Sequence, residues 1–369
     1  PAARAQDNAA MLGSIDAVIQ KHRNPFPKSK YYFVFHFPKK ADESLRTREC
    51  FTGCACRHYK KRKQLEKQAY AIAAFREIYR KAASRVLGID ACAQEIGCRP
   101  EVFAPIFRHL SNHVVKPVVG MEEDEVRQLK STYHVGEDFL DVVDGLRAVD
   151  EAVRFLNLQC GDRIGHGTVL GLDDRKWYEF KQYTIVLSKQ DYLDNIVWLY
   201  HKLTEFRMDG FDSLREELER LFEIYFAEIY LHLEDGTVRE WTRSGCSLYS
   251  NIYNYYEAWK LRGDEPALYQ KGSYDKGEIH GRDWYVNRRY PEEGKSRMRD
   301  EIAYLYYLYH YDWDVRRNGE KSVQVYVIPM YVEGVYAVQR AMQQEFASLG
   351  IGIESNPSSN LAISVIGGY

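Results

Sequence analysis

Short hydrophobic runs that alternate with amphipathic helical segments constrain the fold of this chain most strongly. The runs are rich in aromatic or β-branched residues and are too short to form stable helices. They lie at 31–37, 86–91, 130–135 and 162–167. Helical apolar spacing fills the intervals, most clearly at 142–156. This alternation predicts βα units and therefore a parallel sheet.

The middle of the chain has a different rhythm. Helical patterns follow one another there without intervening strands, at 191–206, 211–233, 249–262 and 296–311. The βα pattern then resumes with a strand at 323–328, a helix at 332–349 and a strand at 350–355. We therefore predict a βα segment at 1–172, a helical insertion at 173–322 for oligomerisation or as a cap, and a second βα segment at 323–369.

Charge and hydropathy limit the partners that we expect. The net charge of −2 argues against bulk electrostatic capture of long RNA, and we interpret the basic run 60–63 as a solvated face. No apolar run approaches the roughly 20 residues that cross a bilayer, so no membrane contact is expected. The seven cysteines lack an extracellular spacing, which favours reduced thiols in the cytoplasm. The 29 tyrosines favour self-association into a homo-oligomer.

Two histidines stand at predicted strand ends beside glycines. His134 is followed by Gly136 and Glu137, while His166 lies between Gly165 and Gly167. The carboxyl ends of parallel strands meet at one edge, and glycine lets a ligand approach the backbone closely. An imidazole can bind a divalent metal while a neighbouring carboxylate transfers protons. Either histidine alone is more often structural, but the pair with a following acid indicates a catalytic site.

These motifs resemble the adenosine/AMP deaminase family of metal-dependent amidohydrolases. The fifth strand of that family ends in His-x-Gly-Glu and its sixth in Gly-His-Gly, as at 134–137 and 165–167 here. Residues 88–95 resemble its fourth-strand motif and 354–360 its seventh-strand turn, and the four motifs occur in the family's order. The resemblance implies an α/β fold of the (βα)8 TIM-barrel type, with a large helical insertion.

The resemblance also implies roles for individual residues. His134 would bind one Zn²⁺, and Glu137 would protonate the purine ring at N1. His166 would orient and deprotonate the water that attacks C6 and expels ammonia.

The substrate-binding residues that the family pattern implies are Cys92, Glu95, Gly136 and Asn360. We expect Cys92 and Glu95 to line the purine pocket beside Gly136. Asn360 belongs to the seventh-strand turn and is expected to brace it more than to touch the substrate.

Two family features are missing from the sequence. The first-strand His-x-His pair does not occur, and the chain ends before an eighth-strand aspartate pair, so His134 is one of four expected ligands. We expect the chain to be an excerpt that lacks the first and last strands; a metal-free relative is the alternative. Asp173 and Asp174 come too early in the order to be that pair, and we interpret them as a solvated turn or helix cap.

The long interval between the sixth-strand and seventh-strand motifs resembles the large bacterial deaminases of RADAR antiphage systems. That likeness implies a multi-subunit shell, a partner ATPase, and deamination of adenosine or of adenine nucleotides such as ATP and dATP. Adenine within RNA stays open as a substrate. A non-catalytic oligomeric scaffold with a degenerate barrel, and a deaminase of another heterocyclic amine, are the alternatives.

A second metal site is conceivable in a cysteine-rich stretch. Cys50, Cys54, Cys56 and His58 lie within nine positions and could hold structural zinc. Their spacing is too tight for a standard zinc finger, so we favour a loop with reduced thiols.

Overall fold

A five-stranded, all-parallel sheet is the centre of the computed structural model, which describes residues 2–22, 27–42, 56–117, 125–233, 235–239, 251–266 and 297–355. The strands are β1 (Phe33–Lys39), β2 (Val86–Ala93), β3 (Lys130–Val135), β4 (Arg163–His166) and β7 (Gly352–Glu354), in the order β1-β2-β3-β4-β7. All four strand pairs are parallel. The predicted α/β class and parallel sheet are thus confirmed, and closure into an eight-stranded barrel stays a prediction.

The two faces of the sheet differ in burial. Phe37, Ile89 and Tyr133 point to one face and are at most 1% exposed. Residues one position away along the strands point to the other face, where Val34 is 40% exposed and the side chain of His36 42% exposed. The strands therefore bury one face under helices, and the open face carries polar side chains.

Helices that connect the strands cover the buried face. They are α2 (Tyr59–Ile78), α3 (Arg80–Ala83), α4 (Ala104–Asn112) and α5 (Val142–Leu156), and α1 (Ala2–Gln20) packs on α2. The interpretation of the basic run 60–63 as a solvated face is wrong at Arg62. That side chain is 5% exposed, and its Nη1 donates a hydrogen bond of 3.1 Å to the carbonyl of Glu101.

Helices also dominate the long segment between β4 and β7. Their bounds are α6 (Asp174–Phe180), α7 (Lys189–Glu205), α8 (Asp212–Phe226, continued by a π-helical turn at Ala227–Leu231), α9 (Ile252–Lys260), α10 (Arg297–Tyr311), α11 (Trp313–Gly319) and α12 (Pro329–Leu349). Buried residues of these helices and of the sheet form one hydrophobic core. Within the described ranges, no helix combines the length and apolar character needed to cross a membrane.

Two strands in this segment depart from the sequence-based prediction. β5 (Thr184–Ser188) lies where only helices were expected, and β6 (Ser322–Tyr326) pairs with it in antiparallel fashion. The prediction that the run 323–328 resumes the parallel sheet is therefore wrong. Its alternation explains the difference: Val323 and Val325 are half-buried, whereas Gln324 between them is exposed, as expected for a strand with one wet face.

Candidate active site

The carboxyl ends of the parallel strands bring the predicted motifs to one edge of the sheet. In the register, His36 of β1 lies opposite Asp90 of β2. His134 of β3 lies opposite Gly165 of β4, and Val135 opposite His166. Residues far apart in sequence thus become neighbours because the strands run in the same direction.

An ion pair with Asp90 orients His134. The Nδ1 atom of His134 lies 2.9 Å from Oδ1 of Asp90, to which it donates, and this hydrogen bond raises the pKa of His134. A carboxylate on one ring nitrogen leaves the other, Nε2, to a ligand. Lys39 approaches from the helix-covered face, where its Nζ donates to the carbonyl of His134 and lies 4.3 Å from the centre of the Tyr133 ring.

Close packing explains why glycine precedes His166. A Cβ atom at Gly165 would lie 2.6 Å from ring atoms of His134, which is too near for any side chain. The two imidazole rings are 5.2 Å apart between centres. His166 itself has a φ of +65°, a left-handed conformation that costs a non-glycine residue about 1–3 kcal/mol. Such strain is concentrated at functional sites.

Glu137 and His166 come together at adjacent strand ends. The Oε2 atom of Glu137 lies 3.3 Å from Nε2 of His166, and each side chain is 13% exposed. Gly136, with a φ of +82°, makes the turn after β3, and a Cβ there would lie 2.9 Å from Val169. Of the candidate site residues, His166 lines a cleft of about 600 Å³, whose described lining includes neither Glu137 nor His134. An acid and a base are thus adjacent, and the cleft opens beside the base.

Glu95 holds the backbone of this turn. Its Oε2 accepts hydrogen bonds from the amides of Gly136, Glu137 and Asp138, at 2.9, 3.3 and 3.4 Å. Burial raises the pKa of Glu95 despite these donors. The sequence motif predicted a pocket-lining role for Glu95 and for Gly136. In the structure, Glu95 braces the turn that carries Glu137, and the amide of Gly136 is one of its donors.

Cys92 lies next to His36, which the sequence motifs did not predict as a site residue. Its Sγ is 3.6 Å from Nδ1 and 3.5 Å from Nε2 of His36, and Nδ1 of His36 is 3.3 Å from Oδ2 of Asp90. Burial raises the pKa of the Cys92 thiol. The metal-binding atoms of these three residues all lie within 4.8 Å of one another.

The other residues singled out in the sequence lie away from this cluster or outside the described residues. Asn360, Cys50 and Cys54 lie outside the described residues. Cys56 is buried, which raises its pKa to about 11, and burial lowers the pKa of His58 to about 3. Asp173 caps α6 by accepting from the amide of Lys176 at 3.2 Å, so its interpretation as a helix cap is confirmed. Asp174 is fully buried, so its interpretation as part of a solvated turn is wrong.

The parts played by Asp90 and His36 were not predicted from the sequence. Asp90 stands in the quoted fourth-strand motif, but its pairing with His134 depends on the strand order. His36 lies within an aromatic strand. The sign that it faces away from the core is its two-residue spacing from the exposed Val34, which puts both side chains on the same face of β1.

A scan against models of protein families and a search of curated proteins both give no match.

Proposed function

We propose that the chain forms the central strands of a (βα)8 barrel that hydrolytically deaminates adenine to hypoxanthine, in adenosine or an adenine nucleotide. One observation carries the proposal: His134, Glu137 and His166 meet at adjacent strand ends, with Asp90 on Nδ1 of His134. The polar, open face of the parallel sheet also suits the inside of a barrel whose remaining strands lie elsewhere.

Zinc fits His134 because the pairing of Nδ1 with Asp90 is the arrangement that supports a metal-binding Nε2. His134 would be one ligand of the set, and the family pattern takes the others from its first and eighth strands. Zinc, when bound, supplies the Lewis acidity that makes a water nucleophilic near neutral pH.

The two remaining residues divide the proton transfers. His166 accepts a proton from the attacking water, and Glu137 donates one to N1 of the purine, which makes C6 electrophilic. The 3.3 Å between them lets a proton taken up by His166 pass to Glu137. Water and adenine give hypoxanthine and ammonia, so atoms and protons balance.

The cellular setting is part of the proposal and rests on the resemblance. We place the protein in the cytoplasm as a homo-oligomer that works with a partner ATPase in bacterial antiphage defence. The net charge of −2 favours a free nucleoside or nucleotide over long RNA.

Ammonia release from adenosine and from ATP tests the proposal in the full-length protein. Replacing His134, Glu137 or His166 by alanine should abolish release while circular dichroism shows an intact fold. Activity retained by all three variants would contradict it. An inactive wild-type protein that carries no zinc would favour the non-catalytic scaffold, and release from a different amine in a substrate panel would change the substrate class.

A further inference from the structure

Three side chains on the open face of the sheet could hold a metal ion of their own. His36 lies on the exposed face of β1 opposite Asp90, and Asp90 and Cys92 stand two residues apart on the same face of β2. We propose that His36, Asp90 and Cys92 form a transition-metal site distinct from the one assigned to His134.

Two of the three distances between the ligating atoms match those around one tetrahedral ion, and all three atoms lie within 4.8 Å of one another. With Zn–S near 2.3 Å and Zn–N or Zn–O near 2.1 Å, tetrahedral angles separate sulfur from nitrogen by about 3.6 Å and nitrogen from oxygen by about 3.4 Å. The observed values from Nδ1 of His36 are 3.6 Å to Sγ of Cys92 and 3.3 Å to Oδ2 of Asp90.

Hydrogen bonding accounts less well for the same spacing. An N–H···O bond ordinarily spans 2.7–3.2 Å, so the contact between His36 and Asp90 is long for a charge-assisted pair. The Sγ atom of Cys92 is nearly equidistant from both ring nitrogens, so neither is singled out as its partner. An ion bound on the lone pair of Nδ1 lies on the far side of that atom from Nε2, so the Sγ atom of Cys92 has to move away from Nε2 when the ion binds.

Neighbouring contacts prepare Asp90 for this role. His134 holds Oδ1 of Asp90 at 2.9 Å, which leaves Oδ2 directed at His36. Such hydrogen bonds to a ligating carboxylate orient it towards the metal. The side chain of His36 is 42% exposed, so an ion can enter from the open face.

The ligand set selects the class of metal. A thiolate with an imidazole and a carboxylate favours Zn²⁺ and related transition metals over Mg²⁺ and Ca²⁺, which prefer oxygen ligands alone. Three protein ligands leave a fourth position for water or an incoming ligand.

Cobalt titration of the full-length protein tests the site, because Co²⁺ bound to a thiolate has a near-ultraviolet charge-transfer band that other ligands do not produce. We expect such a band to saturate at one Co²⁺ per chain and Zn²⁺ to displace it. Cys92→Ser and His36→Ala should each remove the band. Cys160→Ser, which changes an exposed thiol elsewhere, should keep it.

Two results would overturn the proposal: no thiolate band at saturating Co²⁺, or a band that persists in Cys92→Ser. Both variants change partly exposed side chains, and matching circular dichroism spectra verify that they fold. The deaminase proposal uses no cysteine ligand. The band can therefore be absent from an active deaminase, or present in an inactive protein, so the two proposals fail separately.

Discussion

The strand-end site and a buried ion network nearby use the same kinds of side chain in opposite ways. We call Asp90, His134, Glu137 and His166 the strand-end site. The buried ion network connects α5, α7 and the end of α9, and consists of Arg99, Asp144, Arg147, Glu151, Asp194 and Arg262.

Every charge in the network has several close partners. Arg147, with no exposed surface, lies 3.0 Å from both Asp144 and Glu151. Asp194 accepts from Arg262 at 2.9 Å and from the hydroxyl of Tyr255 at 2.7 Å. Burial alone would raise the pKa of Asp194, but the arginines outweigh it and the pKa is lowered.

The strand-end site is more exposed than the network. The side chain of His134 is 24% exposed, and its ring contacts Asp90 through Nδ1. Its geometry depends on glycines and on a strained φ at His166 rather than on a closed set of ion pairs. The network therefore holds the helices together, whereas the strand ends bring an acid and two histidines together at a more exposed edge of the sheet.

Replacing the proposed acid should have the largest effect. Glu137→Gln removes the proton donor, so we expect deamination to fall about 10²- to 10⁴-fold with an unchanged melting temperature. Steady-state rates with adenosine and a thermal melt measure both. The exposed Glu179→Gln should behave as wild type. A fully active Glu137→Gln would remove Glu137 from the mechanism.

Breaking the network should affect stability rather than chemistry. Asp194→Asn removes the carboxylate that pairs with the buried Arg262 and one of several carboxylates beside Arg147, so we expect a loss of about 3–5 kcal/mol in the free energy of unfolding. Urea denaturation measures it. Asp212, an exposed residue that forms an ion pair with Arg215, offers a control. Asp212→Asn should lower the free energy of unfolding by less than about 1 kcal/mol. Equal losses of stability in Asp194→Asn and Asp212→Asn would show that the buried network stabilises the fold no more than an exposed ion pair does.

Asp174 gives a stability effect that depends on pH. Burial, with the nearby charge of Asp173, raises its pKa from 3.8 to about 8, and its Oδ1 accepts from Gln339 at 2.8 Å. Between these values the unfolded carboxyl is ionised while the folded one keeps its proton, so stability falls as pH rises. The expected contribution is about 1.4 kcal/mol per pH unit, or about 3 kcal/mol between pH 5 and 7.

Asp174→Asn removes the contribution of Asp174 to the pH dependence of stability. The variant should lose less stability than wild type between pH 5 and 7 in urea melts, while the exposed Asp209→Asn should follow wild type. Parallel pH profiles of wild type and Asp174→Asn would show that Asp174 ionises normally in the folded protein.

Replacing Glu95 should have the smallest effect of these substitutions, and it tests whether Glu95 braces the turn or lines the pocket. Glu95→Gln weakens three backbone hydrogen bonds without removing a reacting group, so we expect a loss of about 1–2 kcal/mol in stability and a modest fall in rate. Kinetics beside a urea melt measure both. A rate loss as large as that of Glu137→Gln, at unchanged stability, would favour the pocket-lining role that the sequence motif suggests.

Local patterns predicted the parallel strands well, because β-branched runs and helical spacing are properties of short segments. β3 was predicted at 130–135 and is Lys130–Val135 in the structure. Relations that depend on tertiary pairing were not predictable in this way. The pairing of β5 with β6, the burial of Arg62 and the contact of Asp90 with His134 each join residues that are more than 35 positions apart.

Hydrolysis in water enriched with ¹⁸O tests the central claim most directly. The full-length protein with zinc is incubated with adenosine, and the purine product is analysed by mass spectrometry. Deamination at the strand-end site predicts inosine that carries one ¹⁸O at C6, formed by wild type and not by Glu137→Gln. The account would be contradicted if the zinc-loaded protein left adenosine unchanged, or if wild type and Glu137→Gln formed labelled inosine equally fast.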